Sequence, residues 1–199
     1  MKIDQTPSLL AAKGLPSGGI FVEIGTWEGG FSYALLSQTT CAKLHCVDPY
    51  KHFINNEYPD GMNDLSQKQF DDKYAATKQY LTQFGSRVEF IRAESVPAAA
   101  HFEDNSVDFV YIDGNHDYKY VLDDIRAWYP KVKPGGILCG DDVYSTNLEE
   151  HDADGNVTRV WTKNRNGAPS CWGKYGTYKA AVDSGIPFVV DGTQFRMTK

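Results

Sequence analysis

The stretch at residues 107–119, VDFVYIDGNHDYK, determines the fold that we expect for the whole chain. Its first six residues are almost all apolar, β-branched or aromatic, as in a parallel strand that is buried on both faces. The apolar run stops at Asp113, a turn follows, and a helical pattern begins near Asp117. Because ligands of open α/β sheets lie beyond the carboxyl ends of such strands, Asp113 and His116 are predicted to lie at a binding site.

Strand and helix patterns alternate on both sides of this stretch. Short apolar runs predict further strands at Ile20–Ile24, 44–47, Val88–Ile91 and 137–139, and helical patterns lie between them. The clearest helix covers residues 66–84, and a hairpin that turns at Asp191-Gly192 closes the chain. This order predicts an α/β fold: a Rossmann-like, doubly wound, mostly parallel sheet of seven strands with a C-terminal antiparallel strand.

The domain organisation follows from length and from one long polar segment. A chain of 199 residues suits a single domain. Residues 144–174 are polar, rich in turn signals and longer than an ordinary loop, so we expect a lid-like or substrate-binding insertion there. Its Trp161 and Trp172 are candidates for stacking on a sugar or aromatic ligand, or for packing the insertion onto the core.

Composition and charge exclude several classes of partner. The net charge is −6 and no Lys/Arg run occurs, which argues against a nucleic acid as the main partner. No apolar run approaches the ~18 residues of a membrane span, and the N-terminus makes a poor secretory signal. The four cysteines form no CxxC pair and are expected to be buried free thiols. A cytoplasmic protein without a membrane partner is therefore expected, and a homo-oligomer is left open.

The turn after the first predicted strand indicates the kind of nucleotide that would bind. Glycines at the turn 25–29 and an acid, Asp48, at the end of the second strand are typical of an adenosine site. The dinucleotide fingerprint requires a glycine where Trp27 stands. Glu23 and Glu28 add negative charge where a pyrophosphate would lie. These features disfavour NAD and FAD and favour S-adenosylmethionine, which carries a positive charge and no phosphate.

Residues 23–29, EIGTWEG, resemble the E-x-G-x-x-x-G motif of class I S-adenosylmethionine-dependent methyltransferases. The stretches VEFIRAES at 88–95 and FVYIDGNHDYKYVLDDIRAWYPKVKPGGILCGDDV at 109–143 resemble more closely the macrolide-sugar and catechol O-methyltransferase-like enzymes. The resemblance covers residues 18–143 and resumes weakly at 176–184. It implies methyl transfer to a hydroxyl of a small sugar, polyol or catechol-like acceptor. The predicted cofactor-binding residues are Glu23, Gly25, Thr26, Trp27, Gly29, Ser32, Asp48, Glu94, Ser95 and Asp113.

Three carboxylates suggest a metal ion. Asp113 ends the fourth strand, and Asp141 and Asp142 end the fifth, which we expect to be its neighbour. Acids grouped without a partner repel one another, and a hard cation such as Mg²⁺ would relieve that repulsion. In the resembling families these three positions are the metal ligands, and in the catechol-type enzymes a lysine three residues after the first ligand is the base. Here that position is His116, which can serve as a base at neutral pH; without a metal, Asp113 itself could be the base.

Each of these side chains also has a purely structural interpretation. Adjacent strand residues point to opposite faces, so Asp141 and Asp142 can both bind a metal only if the chain leaves strand geometry at Gly140. Otherwise they are solvated or cap a helix. Asp113 could cap the turn before Gly114, and His116 could be a hydrogen-bonding residue at a helix start.

Three other functions compete with small-molecule methylation. A nicotinamide-dependent oxidoreductase shares the layered fold, but Trp27 argues against it. A non-catalytic S-adenosylmethionine-binding protein is disfavoured by the intact acid cluster. A nucleic-acid methyltransferase is disfavoured by the net acidity and by the lack of an (N/D)PP(Y/F) motif.

Overall fold

The computed structural model describes residues 5–53, 64–143, 148–151, 157–161 and 176–199. The helices are α1 (Pro7–Lys13), α2 (Gly30–Gln38), α3 (Gln67–Leu81), α4 (Ser95–Ala99), α5 (Tyr118–Trp128) and α6 (Thr177–Asp183). The strands are β1 (Ile20–Ile24), β2 (Lys43–Val47), β3 (Val88–Ile91), β4 (Val107–Ile112), β5 (Val132–Gly140), β6 (Leu148–His151), β7 (Val157–Trp161), β8 (Val189–Asp191) and β9 (Gln194–Thr198).

Seven of these strands form one sheet in the order β3-β2-β1-β4-β5-β9-β8. The first five are mutually parallel, and β9 is antiparallel to both of its neighbours. This arrangement confirms the predicted Rossmann-like α/β fold. The order of the strands reverses between β1 and β4, and at such a switch point the two following helices leave on opposite faces and open a crevice.

The central strands are buried on both faces, as their apolar sequences predict. Along β1, Val22 and Ile24 belong to one hydrophobic cluster and Phe21 to the other. Along β4, Val110 belongs to the same cluster as Val22, and Phe109 belongs to the same cluster as Phe21. Helix α5 presents Val121, Leu122, Ile125 and Trp128 to the first cluster, which fixes its N-terminus against the end of β4.

Two element bounds differ from expectation by more than one residue. Strand β5 begins at Val132 rather than at residue 137, and its register against β4 shifts between Val107 and Phe109. Helix α3 ends at Leu81 and continues as a 3-10 helix to Arg87. Helix α4 begins at Ser95 and accommodates Pro97, because a proline in the first turn of a helix loses no helical hydrogen bond.

The predicted insertion is described only in part. Strands β6 and β7 pair as a separate antiparallel sheet within the predicted insertion at residues 144–174. Trp172 and the rest of the segment lie outside the described residues, as do residues 54–63. Cys41, Cys46 and Cys139 are buried free thiols as predicted, and Cys171 lies outside the described residues. In the described part of the chain, no helix is long and apolar enough to cross a membrane.

Candidate functional site

A cleft of about 1010 Å³ opens at the carboxyl ends of β1, β2 and β4, at the switch point of the sheet. The turn after β1, the end of β2, the start of α4, the turn after β4 and one face of α5 line it. Small-molecule pockets measure about 300–1,000 Å³. The cleft is at the upper end of that range, so it has room for a cofactor and a second small molecule together.

The turn after β1 touches the end of β4 directly. Gly25 has a φ of 85°, in the left-handed region, and a methyl group added to it would overlap the carbonyl of Asp113. Only glycine satisfies both conditions without strain. This contact places the turn after β1 beside Asp113, so these two predicted cofactor-binding segments are neighbours.

Asp48 lies at the end of β2 in the cleft wall, held by two backbone amides. Its Oδ2 accepts a hydrogen bond from the amide of Trp27 at 3.0 Å, and its Oδ1 accepts one from the amide of Tyr50 at 2.8 Å. Burial raises the pKa of Asp48, although the two amides oppose that effect. Each carboxylate oxygen keeps a further lone pair, so Asp48 can still accept hydrogen bonds from a diol such as a ribose.

Four predicted cofactor residues lie behind the turn instead of in the cleft wall. Glu23 is 2% exposed, accepts a hydrogen bond from Ser32, and has a pKa raised well above its ordinary value by burial. Thr26 is also buried. Gly29 packs against the side chains of Thr77 and Leu81. In this arrangement Glu23, Thr26, Gly29 and Ser32 support the turn, while Gly25 and Trp27 face the cleft.

The wall near α4 contains an acid that was not predicted. Ser95 lines the cleft with Glu94, and its Oγ accepts a hydrogen bond from Trp128 Nε1 at 2.9 Å. Asp124 also lines the cleft and is hydrogen-bonded to Ser95, and burial raises its pKa to about 7. The sequence carried a signal for it: Asp124 stands three residues after Val121 and four before Trp128, on the buried face of α5.

His116 lies between two carboxylates at the other end of the cleft. Its Nε2 is 3.4 Å from Asp113 Oδ1, and its Nδ1 is 3.7 Å from Asp142 Oδ2. Burial alone would lower the pKa of His116, but the hydrogen bond with Asp113 and the charge of Asp142 outweigh it, and the pKa is raised. Asp113, His116 and Asp142 all line the cleft, so the structure brings these three predicted residues together.

Asp141 has a different environment from its neighbour Asp142. Its Oδ2 accepts a hydrogen bond from the hydroxyl of Tyr111 at 3.0 Å, and its Oδ1 accepts hydrogen bonds from Thr193 at 3.1 Å and from the Asp142 amide at 2.8 Å. Gln194 Nε2 donates in turn to the Tyr111 hydroxyl at 3.1 Å. The chain does leave strand geometry, since Asp142 has a φ of 55°, but only Asp142 faces the cleft.

The predicted magnesium site of Asp113, Asp141 and Asp142 is not formed by this arrangement. Among the described residues, no group of three or more His, Cys, Asp or Glu side chains is placed to hold a metal ion. The physical reason is that both oxygens of Asp141 accept hydrogen bonds from Tyr111, Thr193 and the Asp142 amide, while the His116 ring occupies the space between Asp113 and Asp142.

Comparison with known sequences gives one family. A family model described as "Methyltransferase domain" matches residues 22–143. An uncharacterised protein of Acanthamoeba polyphaga mimivirus is 26% identical over 126 residues, which are 61% of this chain and 50% of that protein. An uncharacterised protein of Sinorhizobium fredii is 27% identical over 130 residues, which are 65% of this chain and 13% of that protein. The chain thus spans half or less of the length of these curated relatives.

Comparison with solved structures concerns the fold. An O-methyltransferase family protein from Burkholderia thailandensis has a TM-score of 0.59 at 14% identity, covering 99% of this chain and 54% of that one. A SAM-dependent methyltransferase from Aquifex aeolicus has a TM-score of 0.54 at 18% identity, covering 95% of this chain and 85% of that one. At such identities the likeness shows a shared fold.

Proposed function

The chain belongs to the methyltransferase domain family, and from that premise we propose that it transfers the methyl group of S-adenosylmethionine to a hydroxyl of a small molecule. The fold is the one that S-adenosylmethionine-dependent methyltransferases share. Hydroxyl transfer is the finer part of the proposal, and the acceptor that we propose is a sugar, a polyol or a catechol-like molecule.

One observation carries the proposal: the cleft has a diol-binding acid at one end and a histidine between two carboxylates at the other. Asp48 can accept hydrogen bonds from a ribose, and the turn after β1 presents Gly25 and Trp27 beside it. His116 is 12% exposed and lies within 4 Å of both Asp113 and Asp142. This arrangement favours proton removal next to a bound nucleoside.

The reaction needs a nucleophilic oxygen. When bound, S-adenosylmethionine supplies an electrophilic methyl group on a sulfonium, and oxygen displaces the sulfur in line. His116 would take the hydroxyl proton as the C–O bond forms and the C–S bond breaks, because an alkoxide or phenolate is the better nucleophile. Asp113 and Asp142 stabilise the imidazolium that results. The products are the methyl ether, S-adenosylhomocysteine and a proton that His116 returns to water.

Holding the reactants in place accounts for much of the expected acceleration. The contact of Gly25 with the Asp113 carbonyl fixes the cofactor turn against the base-bearing turn. The amide of Gly176 donates to the carbonyl of His116 at 2.8 Å, so the start of α6 also braces that turn. Magnesium assistance, which was expected from the sequence, stays a prediction; the proton removal that we propose for His116 does not depend on it.

Calorimetry with S-adenosylmethionine and S-adenosylhomocysteine, followed by a methyl-transfer assay on small hydroxyl acceptors, tests the proposal. We expect micromolar binding of both nucleosides and methyl transfer that His116→Gln slows by about 10²–10⁴. No binding at millimolar concentration would overturn the proposal. Binding without transfer to any acceptor would favour the non-catalytic alternative, and a fluorescence change on titration with NADH would favour an oxidoreductase.

A further inference from the structure

The main sheet ends in β8, a strand whose outer side is open. Strand β8 (Val189–Asp191) pairs with β9, and no second strand adjoins it among the described residues. All three of its residues are exposed, Val189 by 53% and Val190 by 39%. Natural proteins protect such edges with charges, prolines, bulges or shortness. Strand β8 is short, but its central residues are apolar and its register is regular, so its edge can pair with another strand.

The backbone groups of Val190 point toward this open edge. Asp191 and Gln194 are paired and flank the two-residue turn Gly192-Thr193, so the backbone groups of Asp191 face β9 inside the hairpin. Backbone N–H and C=O groups alternate between the two sides of a strand. The N–H and C=O of Val190 therefore point away from β9, where the structure shows one donor and one acceptor side by side.

We propose that two copies of this chain pair through β8, antiparallel, about a two-fold axis at Val190. Each Val190 would then exchange both backbone hydrogen bonds with Val190 of the partner subunit, and the sheet would continue across the dimer. A two-fold axis makes such an interface self-complementary, because the same residues meet from both sides. The proposal concerns assembly and does not depend on the proposed function.

The charges beside the edge fit a second copy of this chain. Asp191 and Arg196 line one crevice together with Val189, so the three side chains share a face of the hairpin. Both charged residues are exposed, and neither forms an ion pair in the part of the chain that the structure describes. Each copy thus offers one acid and one base of its own, which a two-fold partner can complement twice.

These charges also select the register. Arg196 stands opposite Val189 within the hairpin. With Val190 on the axis, Asp191 of the partner subunit lies on the other side of Val189, about 10 Å from Arg196 between Cα atoms, which the long arginine side chain can span. An axis at Asp191 would instead set two aspartates opposite each other, which is destabilising.

Disulfide formation tests this register. Opposite Cα atoms of a hydrogen-bonded antiparallel pair are about 5.5 Å apart, which a disulfide spans. Val190→Cys should therefore give a covalent dimer with oxidised glutathione. Val189→Cys is the matched control, because its two copies would lie about 8 Å apart, beyond that span. Both variants carry Cys171→Ser, and the cysteines that the structure describes are buried.

Sedimentation velocity over a range of protein concentrations tests the association itself. We expect the wild type to form a dimer with a Kd in the micromolar range, as for a small interface. Val190→Lys sets two like charges opposite each other and should raise this Kd at least about tenfold. Tyr80→Lys is the control, since Tyr80 is 46% exposed on α3, which packs against β3 at the opposite edge of the sheet, and it should match the wild type.

A charge exchange keeps the inference testable if Val190→Lys does not fold. Asp191→Arg should raise the Kd by about three- to tenfold, and Asp191→Arg combined with Arg196→Asp should restore it to within about twofold. A wild type that stays a monomer at 200 µM, by the concentration scale of a weak interface, would overturn the inference. A dimer that Val190→Lys leaves intact, or cross-linking by Val189→Cys instead of Val190→Cys, would do the same.

Discussion

The two halves of the cleft are built from different kinds of contact. We define the proposed cofactor half as Gly25, Trp27, Asp48 and Ser95, and the proposed acceptor half as Asp113, His116 and Asp142, all of which line the cleft. Asp48 is held by amides two and 21 residues away. Asp141, the neighbour of Asp142, accepts hydrogen bonds from Thr193, 52 residues away, and from Tyr111. The hydroxyl of Tyr111 accepts a hydrogen bond in turn from Gln194, which is 83 residues further along the chain.

This difference indicates which half of the cleft can be altered by mutation without disturbing the other half. A site held by turns of adjacent strands depends on a few local backbone hydrogen bonds, and the same turn chemistry serves any protein that binds the same cofactor. A site held by side chains from the C-terminal hairpin and the start of α6 can be altered without disturbing those turns. We therefore expect mutations in the two halves to separate cofactor affinity from methyl transfer.

The largest expected effect is in the acceptor half. His116→Gln removes the base but keeps a polar side chain, and kcat should fall by about 10²–10⁴. In the wild type, kcat/KM should fall as the pH drops through a pKa above 6.5, because the imidazolium cannot take a proton. His116→Gln should lack this pH limb and should bind S-adenosylhomocysteine normally. A variant with the wild-type pH profile would show that another group is the base.

Asp124 provides a stability test of the cofactor half. Its pKa of about 7 lies above the ordinary value of 3.8, so the folded state holds the proton more tightly, and stability is lost as the pH rises through 7. Asp124→Asn cannot ionise and should be more stable than the wild type at pH 8 by roughly 2–4 kcal/mol, and nearly equal at pH 4.

Urea unfolding at both pH values measures this difference. Asp123→Asn, the same change one residue away at an ion pair with Lys119, should show no such pH-dependent gain. If Asp124→Asn is less stable than the wild type at pH 8, the fold stabilises the ionised carboxylate of Asp124. That result would contradict a buried, protonated Asp124.

Asp48 tests whether the cofactor half acts separately. Asp48→Asn keeps one acceptor oxygen for a backbone amide but removes the charge and one ribose acceptor. The affinity for S-adenosylhomocysteine should fall by about 10- to 100-fold, which corresponds to one or two hydrogen bonds to a charged group. With saturating cofactor, KM for the acceptor should change little. A raised acceptor KM with normal cofactor affinity would place the ribose elsewhere.

The smallest expected effects are those of Asp141→Asn and Asp142→Asn, two adjacent acids at the end of β5 that should affect different properties. Asp142→Asn removes a charge that raises the pKa of His116, so the acidic limb of kcat/KM should move to lower pH. Asp141→Asn weakens the hydrogen bonds with Tyr111 and Thr193 and should lower the free energy of unfolding by about 1 kcal/mol. Equal effects of both changes on the pH limb, without a difference in stability, would contradict their separate environments.

The fold and part of the cleft wall could be predicted from sequence because they depend on local patterns. The apolar run before Asp113 and the periodicity of α5 gave bounds that agree with Val107–Ile112 and Tyr118–Trp128. Asp48 lines the cleft at the end of β2, where the sequence predicted it, because a parallel strand directs its carboxyl end toward that edge of the sheet. The prediction that Asp113 and His116 share a site followed from their separation by three residues across one turn.

The acceptor half could not be predicted in the same way. Whether Asp141 or Asp142 faces the cleft depends on a positive φ and on Tyr111, Thr193 and Gln194, which no local pattern connects. Glu23 was expected at the cofactor, but its position on β1 faces the buried Ser32. The expected metal group is not formed among the described residues for a related reason: three acids at strand ends share an edge of the sheet without sharing a direction.

The central claim is that one cleft holds a cofactor half and an acceptor half that act separately. Calorimetry of S-adenosylhomocysteine with the wild type, Asp48→Asn and His116→Gln, measured side by side, tests it most directly. We predict binding by the wild type, an affinity about 10- to 100-fold weaker for Asp48→Asn, and an affinity within about twofold of the wild type for His116→Gln. No binding by the wild type, or equal losses in both variants, would contradict the claim.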